Sequence, residues 1–142
     1  MGDREMTKEK TFVLLKPDCI KRGLIGEVIC RIEKKGWRIA AAKTMTLNAG
    51  FLYTFYEHIK EQPFFLEVFN YMLSGSVLGL VVEGEGVLAG MRRLIGSPKI
   101  EEALPGTIRG DFALSSSNSL IHASHTEEDF EMECGVFFGQ NT

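Results

Sequence analysis

Thr11-Phe12-Val13-Leu14-Leu15-Lys16-Pro17-Asp18 is an unbroken apolar run that stops at a lysine and a proline. A continuous run, unlike one that alternates with polar residues, predicts a strand buried on both faces. Lys16 leaves that strand where the end of a sheet commonly meets ligand, although an ion pair on the surface would use it equally well.

Outward from this strand the periodicity changes. Ile25, Val28, Ile29 and Ile32 recur at helical spacing before Gly36, a left-handed helix stop. Trp37 to Thr46 reads as a second strand. Phe51, Leu52, Phe55, Tyr56 and Ile59 mark another helix. Pro63 then fits the first turn of a helix carrying Phe64, Phe65, Val68, Phe69 and Met72. Val77 to Val82 makes a third strand and Val87 to Ile95 a helix closed by Gly96. Ser97 to Ser117 is expected to be mostly loop, with one helical turn near Glu101, and long loops inside compact domains are usually functional. A short strand ends at His122, and Ser124-x-x-Glu127 and Thr126-x-x-Asp129 both fit a capping box for a final helix. This order is a split β-α-β pattern used twice, hence an α+β sandwich with a mostly antiparallel sheet covered by helices. Residues 1–142 are expected to form one domain, with residues 1–10 a flexible N-terminal extension.

Composition narrows the chemistry. A net charge of −3 argues against a broad polyanion-binding surface, so nucleic acid is not the expected partner. Cys19, Cys30 and Cys134 form no C-x-x-C pair, which suits a reducing, cytoplasmic setting and excludes a cysteine-built zinc site. No apolar run reaches membrane-spanning length. Gly84-Glu85-Gly86 with Gly90 follows a strand, yet its spacing is one residue too long for a dinucleotide fingerprint and its glutamates repel phosphate. No P-loop occurs.

A different constellation carries more. Lys16, Arg92 and Arg109 would clamp a polyphosphate, since phosphoryl transfer needs cations aimed at developing charge. His122 would serve as nucleophile, because an imidazole near pH 7 is largely neutral with a free lone pair. Glu133 borders the apolar face made by Phe130, Cys134 and Phe137. A carboxylate held inward there would orient the ring. Tyr56 and Phe64 stand where two helices meet and would stack on a base, though aromatics at helical spacing commonly belong to the core.

Five ordered blocks resemble nucleoside diphosphate kinases: Thr11 to Asp18, Arg22-Gly23-Leu24-Ile25-Gly26-Glu27, Gln62-Pro63-Phe64-Phe65, Pro105-Gly106-Thr107-Ile108-Arg109-Gly110-Asp111 and Ile121-His122-Ala123-Ser124. The resemblance implies a ferredoxin-like sandwich and a ping-pong reaction. By that resemblance a nucleoside triphosphate such as ATP would phosphorylate His122, and a nucleoside diphosphate would then collect the phosphate. It further implies phosphate and sugar contacts from Lys16, Tyr56, Arg92 and Arg109, base stacking on Phe64, and Glu133 holding the imidazole. Mg²⁺ is expected on the nucleotide phosphates, with no direct protein ligand and with broad nucleobase tolerance. Homo-oligomers, tetramers or hexamers, are implied, with the loop around Pro105 near a subunit contact. Ser119 stands where the family usually has asparagine, His125 where it has aspartate, and Pro98 where a threonine is common. Two alternatives follow: a nucleotide-binding or scaffolding relative with weakened catalysis, and an RNA-binding module on a similar sandwich. The third strand lacks the exposed aromatics that such a module needs.

Overall fold

The computed structural model describes residues 9–139. Four strands, β1 (Lys10–Leu15), β2 (Arg38–Thr46), β3 (Ser76–Glu83) and β4 (Ile121–Ala123), form one sheet in the order β2-β3-β1-β4. Every neighbouring pair is antiparallel. β1 and β3 are central and buried on both faces over Phe12–Leu15 and Val77–Val82. The expected ferredoxin-like α+β sandwich is therefore the observed one.

Each face of β1 meets a different set of helices. Val13 and Leu15 pack with α2 (Ile25–Lys34) and α5 (Val87–Ile95) through Val28, Ile32, Val87 and Met91. Phe12 and Leu14 pack with α3 (Ala49–Phe55), α4 (Phe65–Met72) and α7 (Glu127–Phe138) through Phe51, Leu52, Met72 and Phe137. Phe137 sits directly on Gly79 of β3, where a Cβ would collide with its ring. Gly84 and Gly90 serve packing rather than phosphate, and Gly86 is the left-handed N-cap residue of α5, with φ 64°. Trp37 lies against Gly84 and Gly90, each of whose Cβ atoms would fall 2.6 Å from the indole. Its Nε1 donates to Glu85 O at 3.0 Å.

Several expectations change. Lys10 belongs to β1, opposite Glu83, and Glu9 O accepts from Gly84 N at 3.0 Å, so residues 9 and 10 are not part of a flexible extension. The remainder of that expected extension, residues 1–8, lies outside the described residues. Pro17 does not merely end β1: it opens the short helix α1 (Pro17–Lys21), since proline fits the first helical position. Pro63 precedes α4, for which Phe64 is the N-cap residue. The predicted loop contains not only the turn at Ile100–Glu102 but also α6 (Ile108–Phe112), capped by Thr107, whose side chain accepts from Gly110 N. Thr126, not Ser124, caps α7, accepting from Asp129 N at 3.0 Å.

Candidate active site

β4 carries His122 between two buried neighbours, so the strand's alternation presents its ring on the α3–α7 side. Phe55 packs edge-on against the imidazole, centroids 5.1 Å apart. Glu133, one of the few buried charged residues, reaches it from α7: Nε2 and Oε1 are 3.0 Å apart. The same carboxylate oxygen accepts from Ser124 Oγ at 2.8 Å. Ser124 Oγ in turn accepts from Phe12 N at 3.2 Å, tying the group to the central strand. A carboxylate only accepts, so Nε2 carries the hydrogen and Nδ1 keeps its lone pair. Burial lowers the His122 pKa below the ordinary 6.5, the charges of Lys16 and Arg109 push the same way, and Glu133 opposes them. The ring is neutral at pH 7, with one-fifth of its side chain exposed.

Two cavities meet on this side of the molecule. A pocket of about 480 Å³ is lined by Lys16, Tyr56, Phe64, Pro98, Arg109 and Ser119, among others. A smaller one of about 160 Å³ contains Arg92, Pro98, Arg109, His122 and His125. Arg109 and Pro98 belong to both, so an aromatic end at Phe64 leads to a cationic end at His122. Phe64 is 48% exposed, with its ring available for stacking. The hydroxyl of Tyr56 is buried and has no hydrogen-bond partner among the described residues. Burial, reinforced by Glu133, raises its pKa and keeps it a neutral donor. A buried hydroxyl donor on a pocket wall suits a polar group of a ligand.

The cations are held by backbone. Arg109 Nε donates to Ser119 O at 3.3 Å, Nη1 to Gly96 O at 2.8 Å and Nη2 to Ile121 O at 2.5 Å. A guanidinium has five N–H donors, so two remain for an anion. Burial and the neighbouring Arg92 bring the Arg109 pKa down to about 10, which leaves it charged at pH 7. Lys16 Nζ donates to Ser119 Oγ at 3.4 Å. Burial first, then Arg109, lowers its pKa to about 8, with Asp18 opposing. Closely spaced like charges of this kind are tolerated where an anion completes them.

The backbone that aims these groups is strained. Leu120 is fully buried with φ 72°, the one non-glycine residue with positive φ among the described residues. Ile121 N donates across it to Ser119 O at 2.8 Å, a γ-turn of the rarer and costlier hand. Its carbonyl accepts from Lys16 N at 2.8 Å. The turn thus couples the strand end bearing Lys16 to the strand bearing His122.

All seven residues singled out from sequence converge here: Lys16, Tyr56, Phe64, Arg92 and Arg109 line the joined cavities, and Glu133 holds His122. Arg109 is on a helix rather than in a loop. Asp111, in the same block, serves the scaffold: Oδ1 accepts from Gly106 N at 2.9 Å and Oδ2 pairs with Arg31 at 2.8 Å. Sequence reasoning missed Ser124 as a second donor to Glu133, because its hydroxyl was assigned to a helix cap. It also missed His58, which lines a third cavity of about 510 Å³ together with His122, His125 and Glu133. Nothing in the local sequence marks His58.

A family model described as nucleoside diphosphate kinase matches residues 9–142. A nucleoside diphosphate kinase of Sulfolobus acidocaldarius is 44% identical over 133 residues, covering 94% of this chain and 92% of the relative. One from Thermus thermophilus is 45% identical over 130 residues, covering 92% and 95%. Among solved structures, the apo nucleoside diphosphate kinase of Encephalitozoon cuniculi superposes with TM-score 0.90 at 40% identity, covering 93% of this chain and 90% of that one. The halophilic enzyme of Halobacterium salinarum, in complex with CDP, gives 0.89 at 36% identity, covering 94% and 89%.

Proposed function

The chain belongs to the nucleoside diphosphate kinase family and is an enzyme of that phosphotransferase class, and we propose that His122 is the residue through which it passes the phosphate. Nδ1, unprotonated because Nε2 donates to Glu133, attacks the terminal phosphorus of a nucleoside triphosphate such as ATP. The N–P bond forms as the P–O bond to the leaving diphosphate breaks. A nucleoside diphosphate then enters the same pocket and takes the phosphoryl group by the reverse path. The single observation that carries this reading is the His122–Glu133 contact at 3.0 Å, opening on a cavity that holds two arginines.

The other residues take roles that suit their placement. Arg92 and Arg109 neutralise charge on the transferring phosphoryl group. Lys16 and the unpartnered Tyr56 hydroxyl bind the nucleotide's sugar and phosphates. Phe64 stacks on the base, and stacking with few polar groups nearby accepts many bases. CDP in the Halobacterium relative supports a nucleotide in this pocket. Lys16, Arg92 and Arg109 would hold the nucleotide's phosphates rather than a metal ion, and Mg²⁺ brought in with the nucleotide would neutralise part of the phosphate charge. Among the described residues no group of three His, Cys, Asp or Glu is placed to hold an ion.

We further propose a homo-oligomer, tetramer or hexamer, with the Pro105 loop near a subunit contact. Leu104, 70% exposed beside that proline, supports this, and light scattering tests it. A cytoplasmic location is proposed from the free cysteines Cys19, Cys30 and Cys134. Among the described residues no helix is long and apolar enough to cross a membrane. Convergence of all the expected cations and the paired nucleophile favours an active enzyme over a relative with weakened catalysis.

The test is incubation with γ-labelled ATP. The full chain takes up an acid-labile, base-stable label that ADP, GDP or CDP discharges, and His122→Ala takes up none while keeping its circular dichroism. Label in that variant would assign the nucleophile elsewhere.

A further inference from the structure

None of the residues from Arg22 to Glu27 lines the cavities around His122, yet this stretch reaches the helix that carries Arg109. Arg22 Nη1 donates to Phe112 O, at the end of α6, at 2.7 Å. Glu27 Oε2 accepts from Arg31 Nε at 2.9 Å, one turn further along α2. So held, the Arg31 guanidinium faces α6. Its Nη1 pairs with Asp111 Oδ2 at 2.8 Å and donates to Gly106 O at 3.4 Å. Its Cζ lies over the Phe112 ring, 4.9 Å from the centroid. Gly106 and Asp111 stand on either side of Arg109, so one side chain grips the chain before and after the residue it presents. We propose that Arg31 is a positioning residue, braced by Glu27, that sets the aim of Arg109 from outside the active site.

The proposal rests on Arg109 touching the transferring phosphoryl group, and deepens that site. Two kinds of force hold α6. Ile108 is fully buried in one cluster with Val28 and Ile32 of α2, and this anchors the helix. Burial of apolar surface is non-directional, so it leaves the rotation of a five-residue helix unfixed. Hydrogen bonds and ion pairs are directional, and Arg31 supplies them at Gly106 and Asp111. A planar fork of donors does this where a single ammonium does not. The Asp111 carboxyl is held below its ordinary range, first by the Gly106 N–H and then by Arg31, so the pair is ionised at pH 7. On the inner side, the three backbone carbonyls that accept from Arg109 fix its guanidinium only where α6 delivers it. A partly exposed ion pair contributes little to global stability, so the loss of Arg31 falls on alignment.

The experiment is a double-mutant cycle on the full chain: wild type, Arg31→Ala, Arg109→Ala and the double variant, with Arg31→Lys alongside. Rapid-quench phosphoenzyme formation gives the maximal rate and the half-saturating MgATP concentration, with rates normalised to folded protein. Urea unfolding and light scattering are run on the same preparations. Arg31→Ala should lower the maximal rate by about 10–100-fold, the effect of a misplacement near 1 Å. Half-saturating MgATP, unfolding midpoint and mass should stay close to wild type. Arg31→Lys should recover part of the rate. With Arg109 already replaced by alanine, removing Arg31 should cost less than about twofold more, because no aim is left to lose. Additive losses would overturn the proposal, as would a wild-type rate in Arg31→Ala. A full rate in Arg31→Lys would overturn it too, since charge without the fork would then suffice. A rate loss accompanied by a changed mass would instead assign Arg31 to assembly. An unchanged rate in Arg109→Ala would overturn the role given to Arg109 itself, and this proposal with it.

Discussion

Glu133 fixes the imidazole through one nitrogen, and everything expected of His122 depends on that grip. Removing an orienting partner of this kind typically costs about 10–100-fold in activity, so Glu133→Ala should lower kcat by that amount. Glu133→Gln, whose amide oxygen still accepts from Nε2, should retain more. Stopped-flow measurement of phosphoenzyme formation in the two variants checks this, and equal rates would mean that the ring is held by packing alone. The charges also set the dependence on pH. His122 must be neutral and its pKa is lowered from 6.5, so the acid-side loss of kcat/KM for ATP lies below that value. Lys16 must be charged and its pKa is brought down to about 8, so kcat/KM falls again as pH rises through that region. Lys16→Arg should remove the basic fall, since a guanidinium stays protonated there. At this scale the sequence was most informative: types and spacings named His122, Glu133 and the three cations. It was mute on Ser124, because one hydroxyl satisfies both a helix cap and a buried carboxylate on paper, and only the packing of β1 against α7 decides between them.

Arg109 shows how an element of five residues aims a side chain. Gly106 and Gly110 made this stretch read as loop, whereas each has a specific task. Gly106 has φ 98°, in the left-handed region that glycine tolerates. Gly110 lies so close to Leu104 O that no Cβ fits. The signal that was overlooked is Thr107, a helix cap two residues before the arginine. The turn is then fastened from outside by Arg31, paired with Asp111 at 2.8 Å and set over the Phe112 ring at 4.9 Å. Thr107→Ala should cost about 1 kcal/mol of stability. It should also reduce kcat more than KM, because a misaimed Arg109 chiefly loses contact with developing charge. Denaturant titration and steady-state kinetics on one preparation separate the two effects. A variant that loses stability but keeps kcat would mean that the three backbone carbonyls hold Arg109 unaided.

Across the whole molecule, the site exists because the two helical layers are anchored to the same central strands. Phe137 of α7 is fully buried, packs tilted against Phe12 of β1 with centroids 5.3 Å apart, and fills the space left by Gly79 of β3. One turn earlier on the same helix is Glu133. Phe137→Ala should therefore destabilise the protein by about 3–5 kcal/mol, and the folded fraction should also transfer phosphate more slowly. Calorimetry together with activity normalised to folded protein tests that coupling, and unaltered specific activity would show that β4 alone positions the site. The succession of strands and helices along the chain follows from hydrophobic periodicity, whereas the meeting of Lys16, Leu120 and His122 does not. That junction depends on a strained turn at a leucine, which propensity argues against and tertiary packing enforces. The route of the phosphoryl group depends on which imidazole nitrogen is free. Isolation of phosphohistidine from base-treated phosphoenzyme, resolved into its two ring isomers, decides this most directly. Phosphate on Nδ1 of His122 is the predicted result, and phosphate on Nε2, the nitrogen that Glu133 holds, would contradict it.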